Sequence, residues 1–149
     1  MKVVIQIVSS ASLSIQHSSI TTIQKGMVLF VGFTHLDKPD VVHYMINKLL
    51  HLRIFPDQNG KTNLTIHDIH GEILCIPNFT LYADVKSSRR PSFSSAATAD
   101  EANKLFSLTK QLLIASYPHV KFGEFGADMS VLVHNEGPFT LILDSNEKQ

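Results

Sequence analysis

Three groups of residues have side chains and spacing that could carry chemistry. Lys86, Arg89 and Arg90 are packed into the polar loop VKSSRRPSFSS. Guanidinium groups grip phosphate oxygens through two parallel hydrogen bonds, so the cluster suits a phosphate backbone; solvated loop charges are the plainer reading, and charge alone does not separate them. Thr80 offers a hydroxyl beside the irregular Pro77-Asn78 step, but no His or Lys stands near it in sequence to act as base. A β-branched residue is also at home in any strand. His67 and His70 form an H-x-x-H with no Glu between them and no further ligand cluster, which reads as a solvated loop pair rather than a zinc site. The lone Cys75 lies in the apolar run EILCIP without a basic neighbour and reads as an inert thiol. The seven glycines are scattered, so there is no phosphate loop, and there is no Gly-x-Ser-x-Gly elbow.

Two irregular steps stand out instead. Pro77-Asn78 interrupts EILCIPNFTLYAD, a run that is apolar from Ile73 to Leu81; a proline there removes a ladder donor and predicts an edge strand or a bend. Gly137-Pro138 sits in HNEGPFTL, between MSVLV and FTLILD. A hairpin would need only a polar turn such as Asn-Gly. Proline lowers the trans preference of its peptide bond to about 0.5–1 kcal/mol, and glycine gives backbone room, so this step is built for an unusual path.

The elements that must position these steps follow from periodicity. In KVVIQIV, Val3, Ile5 and Ile7 share one face, a strand pattern that SLSI (residues 12–15) repeats. MVLFVGF is continuous and apolar, a strand covered on both sides. Asp37 and Pro39 predict the cap and first turn of a helix running to about Leu52, with Val42, Met45, Ile46, Leu49 and Leu50 on its buried stripe. Pro56–Lys61 reads as a turn with Gly60 at positive φ. Thr98 and Glu101 form a capping box for a helix reaching Ser116. Strands near 120–125, 129–133 and 139–143 complete a mixed α/β single domain.

Bulk numbers narrow the class. With 149 residues and 44% hydrophobic content, the chain can bury a core. Thirteen basic residues balance thirteen acidic ones, against a protein that coats nucleic acid by charge alone. One cysteine excludes an intrachain disulfide and suits a reducing cytoplasm. No signal peptide is indicated, and the longest apolar run is too short to span a bilayer.

Over nearly its whole length the chain resembles the D-aminoacyl-tRNA deacylases. MKVVIQIVSSASLSI, LRIFPDQNGKTNLTI, NFTLYAD, RRPSFS, FGADMSVLV and NEGPFTL stand in that family's order. The resemblance implies a homodimer of single domains (residues 1–149), each with twisted sheets forming a barrel-like core and two main helices. It implies a cytoplasmic hydrolase, free of metal and cofactor, that cleaves the ester joining a D-amino acid, or glycine mischarged on tRNA-Ala, to the 3′-terminal adenosine of tRNA.

The family's Ser-Gln-x-x-Leu motif falls on Pro77-Asn78-Phe79-Thr80-Leu81, making the backbone N–H groups of Asn78, Phe79 and Thr80 the implied oxyanion donors. Its Gly-Pro motif, contributed across the dimer interface, falls on Gly137-Pro138. A cis bond there turns carbonyl oxygens into the pocket, where an L side chain collides and a D side chain does not. Pro77, Phe125 and Met129 are implied to line the adenosine pocket, Lys86, Arg89 and Arg90 to contact tRNA phosphates, and the substrate's 2′-hydroxyl to assist water. Three positions depart from the pattern: Ile7 for a usual Arg, Pro77-Asn78 for Ser-Gln, and Phe139 for Val. A related branch that removes L-alanine from tRNA-Thr also carries the proline, so a relaxed editing deacylase is one alternative. A non-catalytic nucleic-acid-binding dimer is another.

Overall fold

The computed structural model describes residues 1–16, 19–86 and 88–147. These form β1 (Lys2–Ile15), β2 (Ser19–Ile23), β3 (Gly26–Gly32), α1 (Pro39–Leu50), β4 (Phe55–Pro56), β5 (Thr62–Leu64), β6 (Glu72–Pro77), α2 (Ala99–Ser116), β7 (Val120–Phe122) and β8 (Met129–Asp144). β1 is the spine. One of its edges pairs antiparallel with β3 and then β2, and the other with β8 along most of its length. β6 and β7 extend the sheet beyond β3 in parallel.

The period of two holds at the start of β1, where Val3, Ile5 and Ile7 are buried toward the helices. It then changes hand. Val8, Ala11 and Leu13 belong to a second apolar cluster, with Ile23, Val28, Leu74 and Ile76. Val8 pairs with Asn135 and Ser10 with His134, so Ser9 is an extra residue on β1. One extra residue exchanges the faces of everything that follows, and this bulge lets a single strand serve two cores.

Helix α2 is as expected. The Thr98 hydroxyl accepts the Glu101 N–H, and the Glu101 carboxylate accepts the Thr98 N–H at 3.2 Å. Ala102, Leu105, Phe106 and Leu113 pack against the buried stripe of α1 and the sheet. Helix α1 differs at its start. Lys38 is the cap residue and makes no side-chain cap bond. Asp37 is engaged elsewhere: it accepts the Thr34 N–H at 2.9 Å and pairs with the Met1 ammonium. The helix ends at Leu50 rather than Leu52. The turn after β4 forms as predicted, with Asp57 accepting the Asn59 and Lys61 N–H groups and Gly60 at φ +73°.

Three strand expectations are corrected. β6 is not an edge strand but lies between β3 and β7; of the two alternatives the bend is the one that forms, the strand stopping at Pro77 rather than running to Leu81. β7 ends at Phe122, not residue 125. Residues 129–133 and 139–143 are not two strands joined by a turn but parts of the one strand β8. Among the described residues no helix is long and apolar enough to cross a membrane.

Candidate active site

Pro77 is tolerated inside a sheet because of where its missing N–H points. N–H groups along β6 alternate between its neighbours: Ile73 donates toward the β7 side, to His119, and Asn78 donates to the Val31 carbonyl of β3 at 2.7 Å. Pro77 therefore faces the β7 side, where the pairing has already ended at Cys75 and Phe122. No donor is missed there. The chain then tightens into a 3₁₀ turn, Phe79–Tyr82, capped by Asn78, whose Oδ1 accepts the Thr80 N–H at 3.2 Å and the Thr80 hydroxyl at 2.5 Å. Gly32 allows this turn to lie on β3: a Cβ there would fall 2.9 Å from the Asn78 carbonyl oxygen and 3.1 Å from Leu81 Cβ.

The three expected oxyanion donors are thus unequal. The Asn78 N–H is spent on the sheet, and the Thr80 N–H is held by the Asn78 side chain. The Phe79 N–H donates to no acceptor among the described residues. A strip with one uncommitted main-chain donor, on a rigid strand end, can stabilise a developing oxyanion. Among the described residues no base is hydrogen-bonded to the Thr80 hydroxyl, which bonds Asn78.

Gly137-Pro138 occupies a detour in β8. Asn135 pairs with Val8 and Thr140 with Gln6, so four residues of β8, 136–139, stand opposite Ile7 alone. The Gly137-Pro138 bond is cis, and Gly137 adopts φ +116°, a region closed to most side chains. A cluster of polar side chains ties the base of the detour. Asn135 Oδ1 accepts the Phe139 N–H at 3.0 Å, Asn135 Nδ2 donates to Thr140 Oγ1 at 3.2 Å, and Gln6 Nε2 reaches the same oxygen at 3.2 Å. Beside it opens a cavity of about 580 Å³ lined by Ile7, Val8, Phe55, Gly137 and Phe139. Ile7 contributes an apolar wall here.

The remaining predicted residues are spread around these two features. A Cβ on Gly123 would fall 2.9 Å from Met129 Sδ and 3.3 Å from Pro77 Cδ, so Pro77 and Met129 flank the same point. Phe125 packs toward the helices, its ring 6.4 Å from that of Phe106. Lys86, Arg89 and Arg90 are exposed on a loop closed by paired backbone bonds between Asp84 and Ser92. His67 and His70 are exposed, and no group of three or more potential metal ligands gathers among the described residues. Cys75 is fully buried, which pushes its thiol up to about 12. Asn135, Thr140, Gln6 and Gly32 were not singled out from sequence; the only local signal was the proximity of Asn135 and Thr140 to Gly137-Pro138.

Comparison with known proteins gives one answer. The family model for D-Tyr-tRNA(Tyr) deacylase matches residues 4–144. The D-aminoacyl-tRNA deacylase of Bacillus pumilus (strain SAFR-032) is 43% identical, over 99% of this chain and 100% of that protein. That of Listeria monocytogenes serotype 4a (strain HCC23) is 44% identical, over 99% and 97%. Among solved structures, a c-Myc DNA unwinding element binding protein superposes with TM-score 0.91 at 34% identity, covering 99% of this chain and 100% of that one. A probable eukaryotic D-amino acid tRNA deacylase shares the fold, with TM-score 0.84 at 16% identity over 95% and 97%. With its mixed α/β domain, two helices and barrel-like sheet, the chain belongs to the D-Tyr-tRNA(Tyr) deacylase family.

Proposed function

We propose that this chain hydrolyses the ester of D-aminoacyl-tRNA in the cytoplasm, as a homodimer in which the Pro77–Leu81 strip of one protomer faces the Gly137-Pro138 tip of its partner. The observation that carries this reading is the separation of the two features within one chain. The strip leaves β6 and the tip leaves β8, with β3 and β1 between them. Three strand spacings amount to about 14 Å, and the four residues from Val31 back to Met27 add about 13 Å along the strands. No hydrogen bond, ion pair or ring contact joins residues 78–80 to residues 136–139 among the described residues. Among the described residues β8 also pairs with β1 alone and leaves a long free edge, with Leu132 and Ile142 61% and 57% exposed, a surface that calls for cover.

In the assembled site, water attacks the ester carbonyl of the aminoacyl group. The oxyanion that develops is met by the Phe79 N–H, the uncommitted donor of the strip, while the bonds of the Asn78 and Thr80 N–H groups, to Val31 and to the Asn78 side chain, hold the turn that aims it. Collapse releases the amino acid and the ribose hydroxyl. The substrate's 2′-hydroxyl lies next to the scissile ester and orients the water, which suits a strip with no triad. Carbonyl oxygens of the partner's tip exclude an L side chain. A D side chain points away, and glycine, with no side chain, also passes. Pro77, Met129 and Phe125 border the adenosine, and Lys86, Arg89 and Arg90 take the tRNA phosphates.

Purified protein is to be incubated with D-Tyr-tRNA, L-Tyr-tRNA and Gly-tRNA(Ala). Release is expected from the first and third and little from the second; absence of hydrolysis above buffer with both D-Tyr- and Gly-tRNA overturns the proposal. Ile7 and Pro77 favour a second reading, relaxed editing, which predicts comparable turnover of L-Ala-tRNA(Thr). The c-Myc DNA unwinding element binding protein at 34% identity favours a third, a nucleic-acid-binding dimer, which predicts salt-dependent tRNA binding without turnover.

A further inference from the structure

Two aromatic rings, one on the strip and one beside it, have no part in the chemistry above. Phe79 and Phe93 meet edge to face with ring centroids 5.1 Å apart, yet remain 55% and 40% exposed. So much exposed ring rules out a core role and makes the pair costly to leave in water. Phe79 belongs to the turn that carries the uncommitted N–H. Phe93 follows directly on the loop that Asp84 and Ser92 close with backbone bonds of 2.7 and 2.9 Å. That loop bears Lys86, Arg89 and Arg90, all exposed and none in an ion pair among the described residues. Its own carboxylate, Asp84, has one oxygen occupied by the Lys86 N–H. Exposed rings next to cations without acidic partners match a single-stranded nucleic acid, whose bases stack on aromatic faces while its phosphates take the charge.

We propose that Phe79 and Phe93 form a stacking platform for the unpaired bases just upstream of the terminal adenosine, with the Lys86–Arg90 loop holding their phosphates. The proposal rests on the deacylase reading and extends it from the ester to the strand that leads to it. Because the Phe79 N–H belongs to the ester site, its ring is placed next to the terminal nucleotide, and Phe93 and the cations continue outward from there. The partner's tip meets the strip at the ester, while like charges crowded in the Lys86–Arg90 loop make a second copy of this chain a poor occupant of the Phe93 side.

Two measurements test it. Titrating a short single-stranded RNA that ends in adenosine, Phe93→Ala is expected to weaken binding about tenfold, and Phe93→Trp to retain it. The slope of affinity against salt stays unchanged in Phe93→Ala and falls in the double variant Arg89→Ala, Arg90→Ala, because only the latter removes phosphate contacts. With esters, Phe93→Ala is expected to lower kcat/KM about tenfold on D-Tyr-tRNA and less than about twofold on the isolated D-tyrosyl-adenosine ester. Unchanged RNA affinity overturns the platform. So does an equal loss on both esters, which marks a structural role, or dissociation of a dimer in sedimentation, which marks a subunit contact. If the wild-type protein hydrolyses neither ester, the deacylase reading fails while the RNA titration still decides the platform.

Discussion

Two prolines interrupt strands in this molecule, Pro77 in β6 and Pro138 in β8, and the backbone absorbs them in opposite ways. Pro77 lies within the sheet, at a point where the neighbour it would have donated to has ended, and the next residue keeps the ladder alive through Asn78 and Val31. Pro138 lies on the outermost strand, which abandons its partner for four residues and then returns to it. The first feature is held mainly by main-chain bonds, with the Asn78 side chain capping its turn, and by a glycine that lets two segments touch. The second is held by side chains: Asn135, Thr140 and Gln6. Main-chain support cannot be deleted by one substitution, and side-chain support can. Damage should therefore couple to stability on the Pro77 side and to activity on the Pro138 side.

The largest effect expected is for Gly137→Ala. At φ +116° a Cβ is strained and would fall 2.9 Å from the Phe139 nitrogen, so the tip must move, and a displacement near 1 Å costs about a hundredfold in turnover. Hydrolysis of D-Tyr-tRNA should fall by that order with the melting temperature nearly intact; a coupled collapse of both would erase the contrast. Gly32→Ala should do both kinds of damage. It presses on the Asn78 carbonyl and Leu81, costing about 1–3 kcal/mol in a denaturant titration and displacing the strip.

Asn135→Ala should cost about tenfold in turnover but only about 0.5–1.5 kcal/mol in stability, since its bonds lie at a partly exposed loop base. Thr80→Ala should change turnover less than about threefold, because the hydroxyl has no base and the N–H survives; a thousandfold loss would restore Thr80 as a nucleophile. The smallest signal is at Cys75. Native protein should resist thiol labelling near neutral pH and react once unfolded. Burial raises this thiol from 9.0 to about 12, so between those values the unfolded state loses a proton the native state keeps, and stability falls as pH rises through that window. Cys75→Ala should flatten that part of the alkaline limb.

The parts of the molecule legible in the sequence were those with local causes. Thr98 and Glu101 announce α2 because both halves of the capping box lie within one turn of the helix they start. Val3, Ile5 and Ile7 announce β1, and Asp57 with Gly60 the turn. Illegible parts depend on distant partners. A Gly-Pro step looks the same whether the chain reverses or only detours, and the decision lies with pairing to β1, more than 120 positions away at Val8 and Asn135. Asp37 looks like a cap but is claimed by the Met1 ammonium and the Thr34 N–H. The Asn78 N–H looks available until β3 is laid against it. Ser9 carries no sign that it will swap the faces of the strand that follows.

The closure of the β8 excursion on one partner has a consequence for how such a molecule can change. Both of its feet stand on β1, at Gln6 and Val8, so lengthening, trimming or re-lettering the tip alters what it reaches without shifting the alignment of any other strand. The framework and the probe it carries are separable parts, and substrate preference can drift at the end of the probe while the scaffold beneath stays in place.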